Sequence, residues 1–386
     1  METNPLFRIQ DFGQSIWLDF IRRGTIISGE LKQLITQDGV RGVTSNPAIF
    51  EKAINGSSDY TDAVHSLALS GKSAVDIYET LVVEDIRQAA DEFRPLYDQL
   101  DGRDGFVSLE VSPLLARDTK GTIQEARRLW KSLDRPNVFI KVPATKEGIP
   151  AIKQLISEGI NVNVTLLFGL ERYREVAEAY ISGLEDAASS GRPLASIASV
   201  ASFFLSRIDV LVDGVLEKTI ASGGRKAEVA KGLIGETAIA SAKIAYQMYK
   251  EIFSGNRWEK VASKGARPQR LLWASTSTKN PAYSDVKYVE PLIGPDTVNT
   301  LPLEAINAYR DHGNPEARLQ QDVKEAREVL KLLPEVDIDL HKVAQQLEDE
   351  GIEKFSTPFL RLMTALEEQR KEALSQPRKE QEIRFH

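Results

Sequence analysis

Cysteine is absent from all 386 residues, which excludes disulfides, a thiol nucleophile and thiolate metal sites. Histidine is scarce. His65, His312, His341 and His386 form no HExxH or other tight ligand spacing, so no metal is expected. An excess of positive charge is missing too: 49 Lys and Arg face 56 Asp and Glu, and the net charge of −7 argues against a general nucleic-acid partner. That balance still admits a local basic pocket for a small anion. No apolar run is long enough to span a bilayer, so no membrane partner is expected. The opening METNPLFRIQDFGQSIW lacks a basic-then-apolar signal pattern, which makes the cytoplasm the default compartment. There is no internal repeat and no low-complexity linker.

What is present is an ordinary globular composition, 42% hydrophobic and 27% charged, on a chain long enough for a sizeable core. Short apolar, β-branched runs recur as candidate strands. They are SIWLDF (15–20), GVTS (42–45), FVSLEV (106–111), VFIKVP (138–143), INVNVTLLF (160–168), SIASVASFF (196–204), RLLWAST (270–276) and TVNTLP (297–302). Amphipathic stretches lie between them. The spacing predicts helices over 73–93, with Ser73 as N-cap and Asp76 at N3, over 119–133 and over 228–253. Such alternation implies parallel strands joined by helical crossovers. About eight units suit a (β/α)8 TIM barrel. A doubly wound sheet is the competitor, but no GxGxxG or GxxxxGK[ST] follows any strand.

The later chain differs in texture. Residues 314–351 read as charged and helical, and FSTPFLRLMTALEEQRKEALSQ as a further amphipathic helix, so additional C-terminal helices follow the barrel. Residues 1–375 are expected to form a single domain, with 376–386 a flexible tail.

Several strands carry polar residues: Asp19, Glu110, Lys141, Asn163, Thr165 and Ser202. A barrel interior is packed mainly with branched apolar side chains, so inward polar groups should be few. One such residue on a strand usually faces solvent or a satisfied hydrogen bond. Six over five strands, mostly toward their C-terminal ends, fit the place where barrel active sites are assembled. Lys141 poses the sharpest case, in NVFIKVPATKEG. Either its stem snorkels the ammonium outward, or the amine is kept partly dry so that it can attack a carbonyl.

Seven segments in order resemble the transaldolase family, class I aldolase-type enzymes. They are IWLDFIRRG (16–24), GVTSNPAIFEKAI (42–54), VSLEVSPLLARDT (107–119), FIKVPATKEGIPAI (139–152), INVNVTLLFGLERYREV (160–176), SVASFFLSRIDVLVD (199–213) and LLWASTSTKNPAYSD (271–285). The likeness is greatest to the longer bacterial branch, whose members are also found fused to phosphoglucose isomerase. It implies a cofactor-free enzyme acting on small sugar phosphates. Lys141 matches the family's Schiff-base lysine, and an iminium there supplies the electron sink for breaking a C3–C4 bond. An unperturbed lysine, with a pKa near ~10.4, would be protonated at neutral pH, so apolar neighbours are expected to favour its neutral form.

The resemblance assigns further roles. Asp19 matches the general acid/base, although Phe20 follows it where the family often has Asn. Glu110 and Thr165 match the pair that holds a catalytic water. Asn46, Asn163 and Ser202 match contacts to the dihydroxyacetone hydroxyls, with Thr44 a weaker candidate. Arg207 matches the phosphate arginine, with Ser275 as its partner. The shorter branch has an arginine soon after that serine, whereas this chain reads ASTSTKNP, so Lys279 is the substitute and Ser277 a further candidate. Phe204 matches an aromatic that closes the site. Arg117 and Asp118 are expected to pair and order the loop after the third strand. The alternatives are a fructose 6-phosphate aldolase, which favours Tyr where this chain has Phe204, and a catalytically silent sugar-phosphate-binding barrel.

Overall fold

The computed structural model describes residues 4–375, so the expected tail, 376–386, lies outside the described residues. Eight parallel strands close into a barrel in chain order: β1 (Gln14–Asp19), β2 (Val40–Thr44), β3 (Phe106–Glu110), β4 (Val138–Pro143), β5 (Val162–Leu167), β6 (Ser199–Phe204), β7 (Arg270–Ala274) and β8 (Thr297–Leu301). Each expected run overlaps one of them, with ends that differ by up to three residues; β1 and β2 begin one and two residues before their runs. The (β/α)8 reading therefore holds. β1 pairs with both β2 and β8, which closes the sheet and removes its edges.

The strands alternate inward and outward residues with a period of two. Trp17, Phe106 and Phe139 cluster two to four positions before Asp19, Glu110 and Lys141. Phe106 and Phe139 stack at 4.3 Å and Trp17 lies 6.0 Å from Phe139, so aromatic rings fill the lower barrel. Gly42 makes room for them, since a Cβ there would stand 2.6 Å from Trp17 Cδ2. The pleat then carries the polar residues to the upper layer. The register sets Glu110 beside Lys141, and Lys141 beside Asn163.

Helix Ala74–Gln99 starts with the expected capping box between Ser73 and Asp76. The expected helix over 228–253 is instead two, Arg225–Lys231 and Thr237–Ile252. They are separated where Gly235 adopts φ +73° and donates its N–H to Asp213 at 2.8 Å. Residues 314–322 are not helical; the helix Val323–Leu332 is followed by a 3-10 turn, and Asp337 at φ +63° ends that run. The two expected C-terminal helices divide elsewhere than expected. One 36-residue helix, Leu340–Ser375, runs through both Gly351 and Pro358. Gly351 is no terminator but a point of close approach: a Cβ there would lie 2.9 Å from Leu166 Cδ2. Among the described residues no helix is long and apolar enough to cross a membrane.

Candidate active site

At the C-terminal mouth of the barrel lies a cavity of about 490 Å³. Lys141, Asp19, Thr44, Asn46, Ser202, Phe204, Arg207, Ser275 and Lys279 all line it, from β1, β2, β4, β6 and the segments after β2, β6 and β7. Glu110, Asn163 and Thr165 stand behind that wall, fully or almost fully buried.

Lys141 is 4% exposed, so the snorkelling reading fails. Its Nζ donates to the Ser45 carbonyl at 3.1 Å and lies 3.2 Å from Glu110 Oε2 on the next strand. The Glu110 approach is an ion pair without hydrogen-bond alignment. Neither Glu110 oxygen has an aligned hydrogen bond among the described residues, and Thr165 Oγ1 has none either. Buried polar atoms normally find partners, so these three oxygens keep unused hydrogen-bonding capacity. Burial raises the Glu110 carboxyl above its ordinary value, against the lowering effect of Lys141.

Asp19 is positioned by two hydroxyls in series. Thr300 Oγ1 donates to Thr44 Oγ1 at 2.7 Å, and Thr44 donates to Asp19 Oδ1 at 2.7 Å. Its carboxyl is also raised, chiefly by desolvation, with Lys141 and the Thr44 hydroxyl pulling the other way. Thr44 thus holds the carboxylate. Thr300, on β8, carried no signal in the sequence reading.

Ser202 donates to Asn163 Oδ1 at 2.7 Å, and Asn163 donates to Ser108 Oγ at 3.1 Å. Asn163 therefore sets the orientation of Ser202 from behind. Asn46 combines the turn role and the site: Oδ1 accepts from the Ala48 and Ile49 amides, capping helix Pro47–Asn55, while the residue faces the cavity.

A cationic corner lies across from Lys141. Arg207 opens the 17-residue helix Ser206–Ser222, and its Nη1 is buried with no partner among the described residues. Burial lowers its pKa, yet guanidinium remains charged in proteins. Ser206 and Ser275 share a 2.8 Å hydrogen bond, and Ser275 holds φ +55°, a conformation uncommon outside glycine and stored where the surroundings enforce it. Lys279 is exposed and donates to Ser277. An unpaired guanidinium at a helix N-terminus is a natural anion site.

Two residues that the sequence reading missed come from the C-terminal helix: Lys354 and Phe355 line the cavity. That helix lies far along the chain from any strand motif, and only its apolar spacing pointed to packing. The expected Arg117–Asp118 pair does not form. Arg117 pairs with Asp349 on the C-terminal helix at 2.6 Å, and Asp118 instead caps helix Thr119–Leu133 through the Gly121 amide, an N-cap geometry that competes with any ion pair. Among the described residues no group of three or more His, Asp or Glu side chains is placed to hold a metal.

Fold and site together define a (β/α)8-barrel protein with a lysine-centred cavity at its C-terminal mouth, one carboxyl behind the lysine, and a second carboxyl and a guanidinium in the cavity lining. Comparison narrows that class. The sequence model described as Transaldolase/Fructose-6-phosphate aldolase matches residues 16–366, a span that contains all seven resembling segments. A transaldolase of Trichodesmium erythraeum is 50% identical over 372 residues, covering 95% of this chain and 98% of its own. Transaldolase 2 of Nostoc sp. is 49% identical over the same shares, and a transaldolase of Parafrankia sp. 47% identical over 95% and 98%. The chain belongs to the transaldolase/fructose-6-phosphate aldolase family.

Proposed function

We propose that the protein is a transaldolase, carrying a dihydroxyacetone unit between ketose and aldose phosphates on Lys141. The observation that carries this reading is a buried primary amine ion-paired to Glu110, opening onto a cavity that also presents a carboxylate and a guanidinium. The relatives named transaldolase, matched over nearly their whole length, support the same reading.

Lys141 Nζ adds to the C2 carbonyl of fructose 6-phosphate or sedoheptulose 7-phosphate, and loss of water leaves an iminium. Glu110 and Thr165 hold the water through which protons pass in that step, which suits their unpartnered oxygens and the raised Glu110 pKa. Asp19 takes the C4 hydroxyl proton; the C3–C4 electron pair moves into the iminium, giving an enamine and a free aldose phosphate. A second aldose phosphate then accepts the three-carbon unit by the reverse steps. Arg207, with Ser275 and Lys279, holds the phosphate, and Ser202 and Asn46 contact the hydroxyls of the dihydroxyacetone part. The steps need no cofactor, and they correspond to the sugar exchange of the non-oxidative pentose phosphate pathway.

The test is reduction with borohydride in the presence of fructose 6-phosphate. A three-carbon adduct on the Lys141 peptide is expected, and Lys141→Ala should lose both adduct and turnover. Turnover by that variant would sink the reading. Asp19→Asn should slow cleavage by roughly 10²–10⁴-fold, the usual worth of a positioned acid/base, and trap the whole hexose phosphate instead.

A further inference from the structure

Phe355 stands between the two charged ends of the cavity. Its ring centroid is 5.6 Å from Lys141 Nζ and 5.7 Å from Arg207 Cζ, and it is buried. Nothing in the barrel itself supplies this ring; it comes from the helix Leu340–Ser375. One turn earlier, Gly351 lets that helix close onto Leu166, a non-glycine residue held at φ +55° just beyond Thr165. One turn later, Phe359 packs edge-on against Tyr78 with centroids 5.5 Å apart, and Leu362 and Leu366 are fully buried. Phe355 is thus fixed on both sides, on a helix packed over Pro47–Asn55 and Thr61–Leu69.

We propose that Phe355 shields the lysine-bound three-carbon intermediate from solvent, and so sets the partition between transfer to an aldehyde and release as free dihydroxyacetone. This rests on the Schiff-base reading above. After C3–C4 cleavage the electron pair lies in an enamine on Lys141, and two fates compete. In transfer, the enamine carbon bonds to the acceptor's aldehyde carbon, the new alkoxide takes its proton from Asp19, and water adds to C2 of the restored iminium to free the ketose phosphate. In release, that carbon takes a proton instead, and water adds to C2 of the restored iminium. Collapse of the resulting carbinolamine frees the amine and dihydroxyacetone. The net reaction is then fructose 6-phosphate to dihydroxyacetone plus glyceraldehyde 3-phosphate, with the water lost on forming the iminium taken up again and nothing oxidised or reduced.

Both fates end in hydration of an iminium, so what separates them is protonation of the enamine carbon, which needs a proton donor on the cavity side of Nζ, where the ring of Phe355 stands. A phenyl face also attracts the iminium's positive charge without offering a proton, unlike the solvent it excludes. Glu110 and Thr165 lie behind the cavity wall, so the water assigned to Schiff-base formation is kept apart from this face. One nitrogen thus has the unpartnered oxygens of Glu110 and Thr165 behind it and the ring of Phe355 in front.

The test compares the native enzyme with Phe355→Ala and Phe355→Leu. Free dihydroxyacetone from fructose 6-phosphate is measured against sedoheptulose 7-phosphate formed with erythrose 4-phosphate as acceptor. The ratio of release to transfer should rise by roughly tenfold in Phe355→Ala, the scale of losing one buried cation–aromatic contact. Phe355→Leu keeps most of the apolar packing, so it folds if the alanine variant does not, and should raise the ratio less. A merely structural role would lower both rates together and leave the ratio alone. A native ratio in either folded variant overturns the proposal. Failure of the native enzyme to form a borohydride-trapped adduct would instead overturn the transaldolase reading.

Discussion

Two buried carboxylates, one at each mouth of the barrel, face cations and differ in every other respect. Asp104, at the N-terminal mouth, is saturated: Ser15 Oγ donates to one oxygen, and Trp17 Nε1 at 2.8 Å and Arg270 at 3.2 Å to the other, with Arg41 3.9 Å away. Glu110, at the C-terminal mouth, has Lys141 at 3.2 Å and no aligned hydrogen bond on either oxygen. A saturated carboxylate has no capacity left for a substrate or a moving proton, and its removal strands its donors. An undersaturated one is a standing cost in stability, and burial has accordingly raised the pKa of Glu110. The same fold holds the first as a rivet and the second as a reagent.

The comparison breaks if the two carboxylates respond alike to neutralisation. Glu110→Gln should cut turnover by roughly 10²–10⁴-fold, because the amide can no longer shuttle a proton for Schiff-base formation. Its unfolding free energy should move less than that of Asp104→Asn, because Glu110 has no aligned hydrogen bond to lose whereas Asp104 anchors three donors. The latter should lose on the order of 3–5 kcal/mol, the scale of breaking a buried ion pair, since Arg270 and Arg41 are left facing a neutral group. Below its denaturation range Asp104→Asn should keep native kcat. Denaturant unfolding and steady-state kinetics on both variants decide the matter; equal stability losses would show that Glu110 is a rivet too.

Smaller effects sharpen the contrast within the active mouth. Arg207→Ala removes a buried guanidinium whose Nη1 has no described partner. A charged hydrogen bond is worth about 1.5–3 kcal/mol, so KM for phosphorylated sugars should rise by roughly 10–150-fold. Reaction with unphosphorylated donors should suffer less, and equal losses would make Arg207 structural. The acid/base carboxylate gives a pH signature. Asp19 must be ionised to accept a proton, and its pKa is raised by desolvation, so kcat/KM should fall at higher pH than an ordinary aspartate implies. Thr44 opposes that rise by donating to Oδ1. Thr44→Val should therefore move the acid limb to still higher pH, and a limb that stays put would remove Asp19 from the role.

Much of this was legible in the sequence, for a physical reason. Strand periodicity and polar residues at strand ends are local signals, and a parallel barrel gathers those ends at one mouth. Hence Lys141, Asp19 and Ser202 could be anticipated, whereas Arg207, on a helix, came only from the family resemblance; all four line one cavity. What local pattern could not give was partnership across the chain. Thr300 reaches Thr44 only because β8 closes on β1, and Phe355 reaches Lys141 only because a helix returns over the mouth. The expected break after residue 351 fails for a related reason: the helix runs on through Gly351, whose missing side chain makes room for Leu166.

The smallest expected effect concerns Arg117, which pairs with Asp349 rather than with the expected Asp118. Arg117 and Asp349 join the loop after β3 to the C-terminal helix at 2.6 Å, but their side chains are 64% and 49% exposed. Water competes for both charges, and such pairs contribute about 0–1 kcal/mol. If the helix depended on this tie, Arg117→Ala would loosen Phe355 and raise release of free dihydroxyacetone. The apolar anchors Phe359, Leu362 and Leu366 make that dependence unnecessary. Arg117→Ala should thus leave the partition ratio native and change stability by less than about 1 kcal/mol, with added salt hardly altering either. A raised ratio in this variant would mean that the cover over Lys141 is held by exposed charge rather than buried surface. The partition ratio would then vary with ionic strength.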